Sequence, residues 1–405
     1  MVSSTPSSPG RYRHRARDRK HHWRRPRLVT VVVVVLLLVG GLCLGGYALV
    51  RAVHHSAAVP PARKARPAGR SAGGTVSNSQ TTVKPTLQDV TISAVGDMEL
   101  GNTPNLPPDP STYLQPVKSA LAAPIVFGNL EGTLTDASAS KCAGGATNCY
   151  AFRTPPAFAQ IFRQNGFTVL NSANNHSHDY GQAGVSDTSA ALQAAGITQA
   201  GLPGQIGLVT DGSTKVAFVD FAPYTDVNNL LDLSTAKELI TQARSEANVV
   251  VVYMHAGAEG SNADHVTGNE ETYVGEDRGN AEVFAHDAID AGAALVIASG
   301  PHVLRGSEFY HGHLIDYSLG DFANYNNFST AGDLDLSGIL TVTLRADGNY
   351  VGGHFTSLLL SATGQPMIDS SQAAATFVNQ LSSADFGSAA AIIQPDGLIN
   401  PPPDS

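Results

Sequence analysis

The chain has 405 residues, 42% of them hydrophobic, enough to bury a full core in one large domain or two smaller ones. Its formal charge of −9 is unevenly divided: residues 1–70 hold 14 of the 25 Lys and Arg and a single acid, Asp18, which leaves 11 basic against 33 acidic groups, a balance of −22, in the rest. Such a surface repels nucleic acid and excludes nucleic-acid binding by the globular part.

Residues 1–27 form a basic, His-rich tail without a periodic apolar pattern, the composition of a disordered segment. Residues 28–50 then run 23 positions without a charge, long enough to cross a hydrocarbon core of about 30 Å as a helix. Nine cations precede that run, Arg11, Arg13, Arg15, Arg17, Arg19, Lys20, Arg24, Arg25 and Arg27. The positive-inside rule therefore keeps the N-terminus cytoplasmic and puts the remainder outside the cell. A cleaved signal peptide has a shorter apolar core, about 7–15 residues, and a small-residue cleavage site. A lipoprotein signal wants a small residue where Leu42 precedes Cys43. The expectation is thus an uncleaved, single-pass anchor in the cell membrane. Residues 51–88, rich in Pro, Ala, Gly, Ser and Thr, read as a linker lifting the globular part off the membrane.

From Asp89 strands alternate with amphipathic helices. Residues 90–95 read as a strand that delivers Gly96-Asp97-Met98-Glu99, and residues 125–127 as one that delivers Gly128-Asn129-Leu130-Glu131. In the Gly- and Asn-rich loop that follows, Cys142 and Cys149 have six residues between them, and outside the cytoplasm such a pair is most simply a disulfide closing the loop. A helix is predicted over about 155–164, with Pro at its start and Gly166 at its end. The apolar run 168–170 comes next and releases Asn171-Ser172-Ala173-Asn174-Asn175-His176-Ser177-His178-Asp179.

Residues 184–195 read as a helix stopped by Gly196, 216–221 as a strand, and Ser234 as the opening of a helix to about Glu246. The most apolar strand, 249–253, delivers His255. A polar loop carrying Asp264, His265, Glu270, Glu271, Glu276, Asp277 and Arg278 leads to a helix ending near Gly292; the loop is solvated, or it reaches over a site as a lid. The strand at 295–298 delivers Ser299-Gly300-Pro301-His302, and residues 314–317, 338–344 and 354–360 are further strand candidates. The main domain is predicted over 89–363, with residues 364–405 as a helix and a loose tail.

Five strand ends thus deliver Asp97, Glu131, Asn175 with His176, His255, and His302. In α/β folds ligands bind where strands end. Two carboxylates, an amide oxygen and imidazoles without a thiolate suit a divalent ion or a pair of ions such as Mn²⁺, Fe or Zn²⁺. Paired metals clamp a phosphoryl group and lower the pKa of a bound water. His176 is then placed as the acid for the leaving oxygen, with Asp179 orienting it or a ligand. The bland alternatives are turn-capping carboxylates, an Asx-rich turn at 171–179 and a satisfied core histidine at 255. His265, His286, His311 and His313 read as surface or structural residues.

Gly96-Asp97-Met98, Asn129-Leu130-Glu131, Ala173-Asn174-Asn175-His176 with Asp179 and Gly181, His255-Ala256-Gly257-Ala258-Glu259, Pro301-His302-Val303, and Tyr317-Ser318-Leu319-Gly320-Asp321-Phe322 together resemble the bacterial capsule-synthesis CapA family, or poly-γ-glutamate capsule proteins. That family is a branch of the calcineurin-like metallophosphoesterase fold. The resemblance implies an α/β, four-layer αββα sandwich with its site at the strand ends. It implies Asp97, Glu131, Asn175, His255 and His302 as metal ligands and His176 as the catalytic histidine.

Three positions depart from the pattern: Ala256 stands where an aromatic is common, Gly300 where a second histidine often precedes Pro-His, and Asp321 where Asn is usual. Arg278 and Arg305, two of the domain's few cations, are the candidate contacts for an anionic substrate. The resemblance leaves two roles open. One is an extracellular metal-dependent hydrolase or transferase acting on an anionic envelope polymer or its phosphorylated precursor. The other is a non-catalytic accessory that binds the polymer or a membrane-bound polymer synthase. An adhesion or wall-structural domain accounts for the anchor and linker but not for the clustered ligands.

Overall fold

A computed structural model describes residues 86–144 and 149–402. The expected tail and membrane span, with the linker up to residue 85, lie outside the described residues. Among the described residues no helix is long and apolar enough to cross a membrane.

In chain order the elements that build the domain are β1 (Val90–Glu99), β2 (Ile125–Leu130), α1 (Phe158–Gln164), β3 (Val169–Asn171), α2 (Gly181–Ala195), β4 (Thr198–Ala200), β5 (Gly207–Asp211), β6 (Thr214–Phe221), α3 (Leu233–Glu246), β7 (Val249–His255), α4 (Ala281–Asp290), β8 (Leu295–Ser299), β9 (Ser307–Tyr310), β10 (His313–Asp316), β11 (Asp321–Asn324), β12 (Leu336–Leu344), β13 (Tyr350–Leu360), β14 (Pro366–Ile368), α5 (Ala373–Phe386) and β15 (Leu398–Ile399). They form two mixed sheets. One runs β14-β13-β12-β1-β2-β3-β4, with β11 also on β1 and β15 also on β13; the other runs β9-β10-β8-β7-β6-β5.

Alternation along the strands assigns the layers, because successive side chains point to opposite faces. Ile92, Ala94, Phe127 and Val169 of the first sheet share a core with Val216, Phe218, Val251, Tyr253 and Ile297 of the second. The Phe127 ring stacks on Phe218 with centroids 5.3 Å apart and meets Tyr253 at the same distance. The intervening residues Val126, Leu130 and Leu170 pack outward against Phe158 and Phe162 of α1 and Leu192 of α2. On the second sheet Ala217, Val250, Val252 and Val296 do the same against Ile240 of α3 and Phe284 and Ala285 of α4. Each face is therefore covered, as runs that are apolar on both faces require.

Some boundaries differ from expectation. The helix predicted from residue 155 begins at Phe158, after a turn through Pro155 and Pro156 whose carbonyls accept from Phe158 and Ala159. Asp232 caps α3 in place of Ser234, its carboxylate accepting from the Thr235 amide at 3.1 Å. The candidate strand 354–360 extends back to Tyr350. The segment expected as a helix with a loose tail does hold a helix, α5, but the rest of its described part is ordered: β14 and β15 pair with β13, while Val378 of α5 and Ile393 and Ile399 enter the inter-sheet core. Asn379 fastens the return by donating to the Ile393 carbonyl and accepting from its amide, both at 2.8 Å.

Parallel pairing of β1 with β2, and of β7 with β8, brings four strand ends to one edge. There β1 breaks register between Asp97 and Met98 and pairs β11 through Asp97 and Asp321. The close approach needs glycine. A Cβ on Gly96 would lie 1.9 Å from the Gly320 carbonyl oxygen, the acceptor of the Asp97 amide. Gly96→Ala is accordingly expected to cost about 3 kcal/mol, the upper range for overpacking, read from urea denaturation midpoints.

Candidate metal centre and catalytic pair

At this edge Asp97, Glu131 and His302 each bring a donor atom within 4.8 Å of the other two. All three are buried. His255 joins them, with Nε2 at 3.7 Å from Glu131 Oε1. His302 Nε2 lies 3.7 Å from the same oxygen.

Neighbouring groups aim these side chains. Asp97 Oδ1 accepts from the Ser299 hydroxyl and from Asn129 Nδ2, and Oδ2 accepts from the Gly300 amide at 3.1 Å. Gly300 has φ +113°, and a Cβ there would press on the His255 ring at 3.2 Å. Gly300 thus leaves room for the His255 ring while its amide donates to Asp97. Asn129 Oδ1 accepts from Asn171 and Asn174, tying the ends of β1, β2 and β3 together. The Asx-turn reading of the Asn-rich stretch is thus true of Asn171 and Asn174, whose side-chain oxygens accept from the amides of Ala173 and His176. Asn175 is different: its Oδ1 is buried without a hydrogen-bond partner.

His255 Nδ1 is 3.3 Å from the Tyr253 hydroxyl, which in turn contacts Ser299 Oγ. With Nδ1–H donating to Tyr253, Tyr253 to Ser299 and Ser299 to Asp97, His255 Nε2 is left bare toward Glu131. Burial pushes His255 down to about 3, so it stays a neutral imidazole. His302 sits at φ +57°, a left-handed backbone that a non-glycine residue adopts only under constraint. Its Nδ1 contacts Asp321 at 2.7 Å, and its ring stacks on Phe328 with centroids 4.3 Å apart. Asp321 thus orients a histidine and does not stand among the three close donors.

Burial and the neighbouring Asp97 push the Glu131 carboxyl well up. Burial lowers the basicity of His302, but Asp321 and Glu131 outweigh it and favour the imidazolium. An imidazolium at His302 and a metal ion among the same carboxylates are alternative ways to balance this charge, because a ligating imidazole must be neutral.

Both oxygens of Glu131, Nε2 of His255, Nε2 of His302 and Oδ1 of Asn175 are buried and unpartnered among the described residues. Buried polar atoms are ordinarily paired. The unpaired atoms here are soft-to-hard N and O donors of the kind a Mn²⁺, Fe or Zn²⁺ ion takes, and they fit a divalent ion.

His176 lies beside this group, 6% exposed. Its Nδ1 contacts Asp179 Oδ2 at 2.8 Å, and the Phe152 ring packs on it with centroids 4.5 Å apart. Burial lowers its basicity although Asp179 opposes the shift. His176, His302 and Asn175 line one cleft of about 640 Å³ with Lys141, Tyr150, Tyr224, Tyr273, Glu259, Arg278 and Phe328, a volume suited to a small or extended ligand. Cys142 and Cys149 are bonded to each other, and Cys149 lines the cleft.

The two arginines expected to hold an anion are already engaged. Arg305 is fully buried, with Nη1 at 2.9 Å and Nη2 at 2.7 Å from Glu271 and Nε donating to the Ala263 carbonyl. Arg278 is 1% exposed and held by Glu259, Glu276, the Tyr224 hydroxyl and the Gly257 carbonyl. Both brace the polar loop, whose Glu271–Tyr273 and Glu276–Gly279 segments form a hairpin; the expectation of free anion contacts is corrected accordingly.

Sequence reasoning also passed over Glu99. It is 3% exposed, both its oxygens lack a partner, and burial and Glu131 push its carboxyl well up. The available signal was its place two residues after Asp97, at the end of the same strand.

The family model described as "Bacterial capsule synthesis protein PGA_cap" matches residues 91–326. The chain is 30% identical over 227 residues to "PGA biosynthesis protein CapA" of Bacillus subtilis, covering 52% of this chain and 55% of that protein. It is 30% identical over 213 residues to "Capsule biosynthesis protein CapA" of Bacillus anthracis, covering 47% of each. The chain thus spans about half the length of the curated relatives it matches. Among solved structures, a "5'-nucleotidase precursor" of Thermus thermophilus superposes with a TM-score of 0.37 at 13% identity, covering 69% of this chain and 56% of that one.

Proposed function

Because the chain belongs to the bacterial capsule synthesis protein PGA_cap family, we propose that it is an anchored, extracellular, metal-dependent hydrolase or transferase of the four-layer metallophosphoesterase type. Its substrate is an anionic envelope polymer or a phosphorylated precursor of one. The observation that carries this reading is the coincidence of two sets. The buried atoms left without partners on Glu131, Asn175, His255 and His302 are the donors that a divalent ion would take, and Glu131, His255 and His302 gather with Asp97 at one edge of the two sheets.

Asp97, Glu131, Asn175, His255 and His302 would hold the ion, which when bound supplies Lewis-acid polarisation of a phosphoryl or acyl oxygen and an acidified water. The chain's own groups do the rest. Asp179 keeps the His176 ring turned so that Nε2 meets the cleft, where it delivers a proton to a leaving oxygen. Phe152, Phe328 and Tyr224 narrow the space around the reacting group and limit water. The charge-free run at 28–50, with cations before it, supports attachment to the membrane with this site outside.

A second reading, a non-catalytic accessory that binds polymer or a membrane-bound synthase, is favoured by one observation: Arg278 and Arg305 are both spent on carboxylates of the fold. Metal analysis of the full-length protein in detergent, followed by turnover of bis(p-nitrophenyl) phosphate with Mn²⁺, separates the two. Stoichiometric metal and turnover that Asp97→Ala abolishes are expected. Metal without turnover would favour the accessory, and a protein that binds no divalent ion would end both the metal and the hydrolase readings.

A further inference from the structure

Asp179 is gripped almost entirely by the two ends of one short loop. On one side the Lys141 amide donates to the Asp179 carbonyl at 2.7 Å, and Lys141 Nζ pairs with Asp179 Oδ1 at 2.7 Å while also donating to the Asn175 carbonyl at 3.0 Å. On the other side the Phe152 amide donates to Asp179 Oδ2 at 2.6 Å, the oxygen that also holds His176 Nδ1. The Phe152 ring covers the His176 imidazole.

These two ends are not equally secure. Phe152 is fixed to the fold independently, since its carbonyl accepts from both the amide and the hydroxyl of Thr133, and the next residues, Arg153–Thr154, pair with Thr133–Leu134. Lys141 has no such strand; it adjoins Cys142, and the Cys142–Cys149 bond links it back toward the anchored Phe152 side. Both cysteines are only half-buried, so a small dithiol reaches them.

We propose that Lys141 is a positioning residue for the Asp179–His176 pair and that the Cys142–Cys149 disulfide holds it there, so that the thiol–disulfide state of this loop sets whether the imidazole is aimed at the cleft. The proposal rests on the reading of His176 as the acid. The switching step is a two-electron reduction by a dithiol: the Cys142–Cys149 sulfur–sulfur bond breaks, each sulfur ends with one proton, and the dithiol leaves as its own cyclic disulfide. Freed of the cross-link, the Lys141 end samples many more conformations, and Asp179 loses its cationic partner and the Lys141 amide contact together.

The full-length protein is compared oxidised, treated with dithiothreitol, and as the Lys141→Met, Lys141→Arg and Cys142→Ser/Cys149→Ser variants. Three quantities are read: amide exchange over 174–181, the ¹⁵N resonances of the His176 ring at one fixed pH, and kcat and KM with Mn²⁺. Reduction is expected to speed exchange over 174–181 about tenfold, to remove the Nδ1–H donor signature of His176 and to lower kcat about tenfold with KM nearly unchanged, all restored by reoxidation. Lys141→Met, which keeps the bridge, should reproduce those changes and be insensitive to dithiothreitol, and Lys141→Arg should largely rescue them. Unchanged exchange and ring resonances on reduction would overturn the proposal. Should the double serine variant fail to fold, reduction of the native chain and Lys141→Met still decide. If the protein turns nothing over, the first two readouts still test the clamp while the functional reading falls alone.

Discussion

Replacing His176 with alanine is expected to lower metal-dependent turnover about 10²–10⁴-fold, the usual contribution of a positioned acid or base, with the bound metal per chain unchanged. The two halves of that expectation come from different atoms. Nδ1 is committed to Asp179 at 2.8 Å, which leaves Nε2 as the atom available to the cleft that His176 lines. The donors clustered within 4.8 Å of one another belong to Asp97, Glu131 and His302, so truncating His176 removes a proton carrier and leaves that cluster its full set. Asp179→Asn is the companion variant. It keeps the shape but removes the charge that fixes the ring and pairs with Lys141, so kcat should fall while KM holds. Bis(p-nitrophenyl) phosphate kinetics alongside elemental analysis check both. Turnover of His176→Ala within twofold of the native protein would strip the residue of its role, and loss of metal in that variant would make it a ligand.

The legible part of this site was the part written in strand ends. Residues 90–95, 249–253 and 295–298 announce themselves by β-branched apolar runs, and a polar residue directly after such a run has few places to go but the sheet edge. Asp97, His255 and His302 were readable for that reason. Partnership is a different matter, because a charged letter does not say what neutralises it. Arg278 and Arg305 looked like free cations in an acidic domain, yet Glu259, Glu276 and Glu271 from the same polar loop consume them. Lys141, which no motif singled out, is the cation on Asp179. The final segment looked loose because β14 and β15 are three and two residues long, too short to carry a period, and both owe their pairing to β13. Glu99 was hidden by its own motif: Asp97 drew the reading, and the second carboxylate at the same strand end went unread.

Chelation should expose what the clustered carboxylates cost. A divalent ion at 100 times its dissociation constant stabilises the folded chain by about 2.7 kcal/mol. At about 2 °C per kcal/mol for a domain of this size, its removal by EDTA is expected to lower Tm by roughly 5 °C. The chelated protein then buries Glu131 with neither oxygen partnered and Asp97 and Glu259 nearby.

The sign of the pH dependence follows. Folding raises the Glu131 pKa above its unfolded value, so the stability tied to its proton is full below the unfolded value near 4.5 and is lost as pH rises toward the folded value. Chelated protein should therefore lose Tm steadily from about pH 5 upward, where metal-replete protein does not. Glu131→Gln, which cannot ionise, is expected to invert with metal: at pH 8 it should melt below the native protein when Mn²⁺ is present and above it in EDTA. Differential scanning calorimetry of the four combinations measures the crossing. Parallel shifts in both conditions would mean that Glu131 is an ordinary buried acid and that the ion sits elsewhere.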